Sequence, residues 1–152
     1  MIYYNELSNI DIEKIIKHYN LNDYFGGVFS KDNLPNKLIK GKYYIINLNN
    51  HNQSGSHWTC FYYNYPLYSI YYDSYGYPAP LEVQNKIKPY IFNDVDIQDY
   101  NSRSCGYYCI SFIKFLYNKQ NKYNSFDTYI NLFSNDTMNN DKILYNYICQ
   151  YP

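Results

Sequence analysis

Hydrophobic residues recur along the chain with two different periods, and each period predicts a different kind of element. Ile12 and Ile16 stand about one helical turn apart near the start of the sequence. Ser8 and Asp11 have the spacing of a capping box, in which each side chain bonds the backbone of the other residue. The pattern therefore predicts an amphipathic helix over residues 9–19.

Three further segments are nearly continuous runs of aliphatic and aromatic residues, at 43–48, 58–63 and 67–72. Such runs favour β-strands, and the short polar or proline-containing breaks between them favour antiparallel neighbours. Both alternating faces of each run are apolar, which is typical of a sheet covered on both sides. The sequence thus predicts a central, mostly antiparallel sheet.

Helices are needed to cover that sheet, and helical patterns with start signals predict them at residues 80–91, 105–118, 126–133 and 139–150. Val95 and Ile97 alternate as in one further short strand. A chain of this length forms one domain, here residues 1–152. The predicted fold is therefore of the α+β class, with helices flanking the sheet and Cys105 at the N-terminus of a central buried helix.

Composition introduces a competing hypothesis. The chain holds 24 tyrosines and 22 asparagines, a bias typical of low-complexity tracts, which favours a non-catalytic assembly or RNA-associated protein. The helical and strand periodicities argue against a disordered tract, and codons rich in A and T account for the same bias. The 13 basic and 13 acidic side chains cancel, so no overall charge attracts nucleic acid or an anionic membrane.

The sequence also bears on location and on the state of its cysteines. No segment approaches the roughly 18 consecutive apolar residues of a membrane span, and the first residues lack a basic leader followed by an apolar stretch. We therefore expect a protein that is neither secreted nor membrane-bound.

Without a signal peptide, the cysteines are expected to be reduced thiols: Cys60, Cys105, Cys109 and Cys149. The paired-ligand spacings of zinc sites are missing, so no metal is expected.

A histidine and an aspartate flank the predicted hairpin of the second and third strands. If the hairpin turns about Tyr65, position 57 lies opposite position 73, and opposed residues share a face with Cβ atoms roughly 5 Å apart. His57 and Asp73 then form a pair in which the carboxylate accepts the imidazole N–H. The alternative is that His57 is merely a polar strand end and Asp73 a turn former.

Cys105 begins the most apolar of the predicted helices. The positive potential at a helix N-terminus stabilises a thiolate, which is the nucleophilic form of cysteine. Gly106 beside it would leave room for a substrate backbone. The alternative is a small buried hydrophobic residue, which is the usual role of a lone cysteine.

Gln98 precedes Cys105 by seven residues, with a polar loop between them. In a strand that carries Val95 and Ile97 inward, Gln98 lies on the other face and points into the cleft. Its amide and the backbone N–H of Cys105 would then stabilise the oxyanion that forms when a thiolate attacks a carbonyl. The alternative is a surface glutamine.

The order of these motifs resembles a known family. His-Trp, Asp-x-aromatic-Gly, Gln and Cys-Gly follow one another from His57, Asp73, Gln98 and Cys105. The set is similar to the adenovirus maturation protease (adenain) and its relatives in virophages and related mobile elements. Weaker similarity extends over nearly the whole chain. A broader relation links this family to proteases that remove ubiquitin-like modifiers.

This resemblance implies a viral cysteine endopeptidase that cleaves capsid or core precursor proteins near glycine during virion maturation. It implies that Cys105 is the nucleophile, His57 the general base, Asp73 the residue that orients the base and Gln98 an oxyanion donor. We expect Trp58 to line the substrate cleft together with Gly106. A protease that removes ubiquitin-like modifiers is the nearest alternative.

The chain departs from the adenovirus enzyme in two respects, one at the orienting carboxylate and one that affects the expected activators. Asp73 replaces a glutamate, a tolerable exchange because either carboxylate accepts the N–H. Residues 80–97 contain no cysteine for the disulfide that binds a peptide activator in the adenovirus enzyme, and the neutral charge argues against activation by DNA. We therefore expect no cofactor, a monomer, protein substrates, and a location in the virion and the host-cell interior.

Overall fold

The structure is a computed structural model that describes residues 5–52 and 57–148. Its centre is one five-stranded sheet in the order β1-β2-β3-β4-β5. The strands are β1 Phe25–Ser30, β2 Tyr43–Asn47, β3 Trp58–Tyr62, β4 Ser69–Tyr72 and β5 Tyr90–Phe92. The three predicted strands are confirmed as β2, β3 and β4.

Helices pack on this sheet, so the predicted α+β class is confirmed. They are α1 Asn9–His18, α2 Leu81–Ile87, α3 Cys105–Leu116, α4 Lys122–Ile130 and α5 Asn140–Ile148. Two short 3-10 helices occur at Asn22–Tyr24 and Thr137–Asn139. The predicted start of the central helix at Cys105 is confirmed, and its middle is buried.

The sheet is mixed. Its two central pairings, β2 with β3 and β3 with β4, are antiparallel, as expected from the short connections. The two outer pairings, β1 with β2 and β4 with β5, are parallel. The strands that end at the candidate site therefore belong to the antiparallel centre.

Alternate residues of the central strands enter two separate cores. Tyr72 and Cys60 face the larger core beneath α3. Tyr71 and Phe61 face the smaller core beneath α2. This alternation confirms that the sheet is covered on both sides, and it explains why both faces of each strand are apolar.

The first helix forms as its sequence predicts. Ser8 accepts a hydrogen bond from the backbone N–H of Asp11, and the Asp11 carboxylate accepts one from the N–H of Ser8, which completes the capping box. Ile12 and Ile16 are buried against the larger core. Local sequence signals were sufficient here because the cap and the apolar stripe agree.

The structure corrects several other boundaries. Val95 and Ile97 do not form a strand, and the fifth strand is Tyr90–Phe92 instead. β1 was not predicted, since its paired glycines obscure the strand pattern. α2 ends at Ile87 because the residue before Pro89 is extended.

The fourth helix also begins earlier than predicted. Asn121, rather than Ser125, is its N-cap and accepts a hydrogen bond from the backbone N–H of Asn124. Asparagine and serine are both good N-caps, so composition alone did not choose between them. Within the described residues, α5 covers most of the span predicted for the last helix.

Candidate active site

His57 and Asp73 meet at one end of the antiparallel hairpin. His57 directly precedes β3, and Asp73 directly follows β4. The imidazole Nε2 lies 2.8 Å from Oδ1 of Asp73, and the two side chains are 12% and 2% exposed. The structure therefore brings together the pair that the sequence predicts.

The register that forms this pair differs from the predicted one. Cys60 lies opposite Tyr72, which aligns position 57 with position 75 rather than 73. Asp73 is thus a diagonal neighbour of His57. The turn predicted about Tyr65 therefore gave each residue a strand partner two positions away from the observed one. Because side chains alternate with a period of two, a shift of two residues keeps His57 and Asp73 on the same face, and the side chains still meet.

Asp73 is both a turn former and a partner of the imidazole. Its Oδ1 accepts a hydrogen bond of 2.8 Å from the backbone N–H of Tyr75, and its carbonyl accepts one from Gly76. Gly76 has φ +82°, and a Cβ there would lie 2.8 Å from the backbone of Val95. Only glycine fits this turn, which fixes the carboxylate beneath His57.

Two groups that sequence reasoning missed support the pair. Asn93 follows β5 and bonds the backbone of Asp73 at both its N–H and its carbonyl. The ring of Tyr75 stacks on the imidazole of His57, with centroids 4.6 Å apart. The aromatic position of the Asp-x-aromatic-Gly motif was a sequence signal for Tyr75. No sequence signal pointed to Asn93, because only the parallel pairing of β5 with β4 brings it to Asp73.

Cys105 is the first residue of α3 and is 5% exposed. Burial lowers the pKa of His57, but the interactions of the imidazole with Asp73 and Cys105 outweigh burial and raise that pKa to about 9. Nε2 is engaged by Asp73. The imidazole is therefore charged near neutral pH and adjoins a thiol at a helix N-terminus, where a thiolate is stabilised.

The other described cysteines have each other as neighbours. Cys60 and Cys109 are buried in the larger core, where burial raises the pKa of both thiols. This confirms their predicted role as core residues. Cys149 lies outside the described residues.

Gln98 is buried, with 1% of its surface exposed, so it is not a surface glutamine. It lies in a loop rather than in the predicted strand, and its backbone N–H donates to the carbonyl of Ser74. The Ser74 hydroxyl donates to Oε1 at 2.6 Å. Its Nε2 donates to the carbonyl of Ser102 at 3.0 Å and to Oγ of Ser102 at 3.3 Å. Both N–H groups of the amide are thus bonded to Ser102 in the loop that leads to Cys105, and its oxyanion role, which needs one of these bonds to open, stays a prediction.

The two residues predicted to line the cleft have different surroundings. A Cβ on Gly106 would lie 3.0 Å from Cδ1 of Leu7, so glycine here makes room for Leu7, and its role beside a substrate backbone stays a prediction. Trp58 is 8% exposed, and its indole N–H donates to the Leu7 carbonyl at 2.8 Å. Trp58 lines a groove of about 580 Å³, along with Phe29, Asn47 and His51, and neither His57 nor Cys105 lines it. Its role as a cleft wall stays a prediction.

Metal-binding clusters and membrane-spanning helices are absent from the described residues. Within residues 5–52 and 57–148, no group of three or more His, Cys, Asp and Glu side chains is placed to hold a metal ion. No helix in those ranges is long and apolar enough to cross a membrane.

A buried α+β scaffold that places cysteine, histidine and aspartate together has the layout of a thiol-dependent hydrolase. A solved structure with a similar fold is the crystal structure of the selenomethionine form of the ASFV pS273R protease. It matches over 97% of this chain and 68% of that chain, with a TM-score of 0.61 and 12% sequence identity. The chain therefore shares the fold of a protease.

No protein-family model matches the chain, and no curated protein does. The fold is shared with a protease. The narrower resemblance to the adenovirus enzyme stays a prediction.

Proposed function

We propose that this chain is a cysteine endopeptidase with Cys105 as the nucleophile, His57 as the base and Asp73 as the residue that orients it. The observation that carries the proposal is the 2.8 Å pair of His57 and Asp73, both largely buried, with Cys105 as the first residue of α3 acting on the same imidazole. A protease with the same fold supports it.

The first chemical step is attack on a peptide carbonyl. The Cys105 proton resides on His57, which leaves a thiolate and an imidazolium held by Asp73. The sulfur forms a bond to the carbonyl carbon, and the π electrons move to oxygen. The backbone N–H of Cys105 and the amide of Gln98 are the proposed donors to that oxyanion.

The second step breaks the peptide bond and the third restores the enzyme. The imidazolium of His57 gives its proton to the departing nitrogen as the C–N bond breaks, which leaves a thioester on Cys105. Neutral His57 then takes a proton from water, whose oxygen attacks the thioester. Sulfur leaves as the thiolate, so the carboxylic acid is released and the ion pair is restored.

The proposed substrates are capsid or core precursor proteins that are cut near glycine. The ordered motifs from His57 to Cys105 support a virion-maturation role through their resemblance to adenain-like enzymes. The ASFV pS273R protease is a viral protein of the same fold. The proposed enzyme acts as a monomer inside the host cell and the virion, without a cofactor or an activating peptide or DNA.

Purified protein should be incubated with capsid precursors and, in parallel, with ubiquitin-like proteins fused through their glycine ends. Cleavage of the precursors near glycine, absent in Cys105→Ala and retained in Cys109→Ala, is the expected result. Faster cleavage of the fusions would favour a deconjugating protease instead. Cleavage of neither substrate would contradict the proposed function, provided that both variants and the parent protein are folded.

A further inference from the structure

The N-terminus of α5 is packed against the loop that carries Gln98 and ends at Cys105. Asn140, the first residue of α5, is buried and its amide donates to the carbonyl of Ile97 at 2.8 Å. Ile97 directly precedes Gln98. The next residue of α5, Asp141, faces the other end of the same loop. A helix near the end of the chain therefore holds both ends of the segment between Gln98 and Cys105.

Asp141 accepts hydrogen bonds from hydroxyl groups on both sides of Cys105. Its Oδ1 accepts from Oγ of Ser102 and from the hydroxyl of Tyr108, each at 2.9 Å. Its Oδ2 accepts from Oγ of Ser104 at 3.2 Å. An ionised carboxylate only accepts, and it has room for all three donors. One side chain thus joins the loop before Cys105 to the first turn of α3.

The bond to Ser104 affects the start of α3. Serine at an N-cap ordinarily accepts a hydrogen bond from a backbone N–H in the first turn. Ser104 is the N-cap of α3, yet its side chain makes no such bond and donates to Asp141 instead. The cap serine therefore does not compete with a substrate oxyanion for the first-turn N–H groups.

The bond to Ser102 reaches Gln98. The Ser102 hydroxyl donates its hydrogen bond to Asp141. The lone pairs of Oγ therefore face the backbone N–H of Ser104 at 3.1 Å and Nε2 of Gln98 at 3.3 Å. The Ser102 carbonyl also accepts from Nε2 of Gln98. Asp141 consequently sets the donor and acceptor directions of a network that contains the Gln98 amide and the backbone N–H of Ser104, the residue directly before Cys105.

We propose that Asp141 is a positioning residue that holds the loop of residues 102–104 so that the Gln98 amide and the Cys105 N–H converge on the oxyanion. The proposal rests on the proposed function of the site. Asp141 acts through Ser102 and Ser104 and takes no part in proton transfer. Its loss should weaken transition-state stabilisation while the thiol stays reactive.

The principal test compares Asp141→Asn with the parent protein. An asparagine side chain replaces one acceptor oxygen by an NH₂ donor, so it cannot accept all three hydroxyls. We expect kcat for a peptide substrate to fall roughly 10- to 100-fold with KM nearly unchanged. Alkylation of Cys105 by iodoacetamide should stay within about threefold of the parent rate, since His57 and the helix end remain.

Asp136→Asn is the matched control. Asp136 lies five residues earlier in the same segment, caps the 3-10 helix before α5 and accepts from the backbone N–H of Met138. Its replacement should lower thermal stability slightly and leave kcat unchanged. Equal losses of kcat in both variants, or loss of kcat together with new alkylation of buried Cys109, would show that Asp141 is merely structural.

A double-mutant cycle tests the route through Ser102. If Asp141 acts through Ser102, the variant that combines Ser102→Ala with Asp141→Asn should lose about as much kcat as the worse single variant. Losses that multiply would overturn this route. Asp141→Glu, which keeps an acceptor-only side chain, should recover part of the lost kcat.

Failure of this proposal differs from failure of the proposed function. If the parent protein cleaves peptides and its Cys105 alkylates selectively, wild-type kcat in Asp141→Asn overturns the role of Asp141 alone. If the folded parent cleaves nothing and its Cys105 alkylates no faster than Cys109, the proposed function fails, and the role of Asp141 fails with it.

A peptide aldehyde, which adds to the thiolate, should bind at least about tenfold more weakly to Asp141→Asn than to the parent protein.

Discussion

Two cysteines of α3, one helical turn apart, are both buried at the edge of or within the larger core, but they differ in their place on the helix and in their neighbours. Cys105 is the first residue of the helix and contacts His57. Cys109 is enclosed in the larger core, where burial, followed by its contact with Cys60, raises the thiol pKa well above its ordinary value. The comparison teaches that the helix end and a neighbouring base, rather than the residue type, define the candidate nucleophile.

The largest expected effect separates the two thiols directly. Cys105→Ala should reduce cleavage by roughly 10⁴-fold or more, because the bond-forming atom is removed. Cys109→Ala should keep activity and lower the free energy of unfolding by about 1 kcal/mol, through a small cavity. Peptide cleavage and denaturant unfolding measure both. Equal loss of activity in the two variants would contradict the assignment of Cys105, rather than Cys109, as the nucleophile.

The base and its orienting acid should give the next largest effects. His57→Ala removes the proton carrier, so both cleavage and preferential alkylation of Cys105 over Cys109 should be lost. Asp73→Asn keeps the imidazole but favours the wrong tautomer, and it should lose less activity than His57→Ala. Parent-like turnover in Asp73→Ala would show that another residue orients His57.

Gln98 should affect turnover without affecting the thiol. Gln98→Ala should slow the chemical step by roughly 100- to 1,000-fold with little change in substrate binding, as for the loss of one oxyanion donor. Gln98→Glu should be at least as harmful because its carboxylate offers no donor. Cys105 should still alkylate faster than Cys109 in both variants. Near-normal kcat in Gln98→Ala would contradict this role.

Activity should depend on pH through His57. Its pKa is raised from 6.5 to about 9, so the imidazolium and its stabilisation of the fold are present below pH 6.5 and are lost as the pH rises through about 9. We expect kcat/KM to fall across that upper range. Asp73→Asn removes an interaction that raises the pKa and should move the fall to lower pH. An unchanged profile in that variant would contradict the assignment.

Tyr75 should give the smallest effect. Its ring stacks on the imidazole of His57, and Tyr75→Ala should free the imidazole to rotate and reduce kcat by about tenfold or less. Tyr75→Phe keeps the stack and should retain more activity than Tyr75→Ala. Steady-state kinetics of both variants measure this contribution. Identical losses in the two variants would assign the effect to the hydroxyl rather than to stacking.

Much of the fold was predictable because local signals agree with the tertiary structure. The capping box at Ser8, the apolar runs of the central strands and the apolar stretch after Cys105 predicted helix, strands and central helix. The face shared by His57 and Asp73 was also predictable, since side chains alternate with a period of two. These features depend only on residues close together in sequence or on the two-residue alternation of side chains along a strand.

Other features depend on contacts between distant segments. The register that places Tyr75 over His57 is set by the length of the hairpin connection, which sequence periodicity does not specify. Asn93 reaches Asp73 only because β5 pairs in parallel with β4. Gly106 faces Leu7, a residue far away along the chain, so local sequence patterns could not reveal this neighbour.

The sequence by itself determined the identities and order of the candidate catalytic residues, the α+β class and the start of the helix that presents Cys105. The tertiary structure alone decided how the loop between Gln98 and Cys105 is held, because Asp141 arrives from α5. Helix and strand signals are encoded by residues within a few positions of one another. A hydrogen-bond network closed by a distant helix is encoded only by the packing of the whole domain.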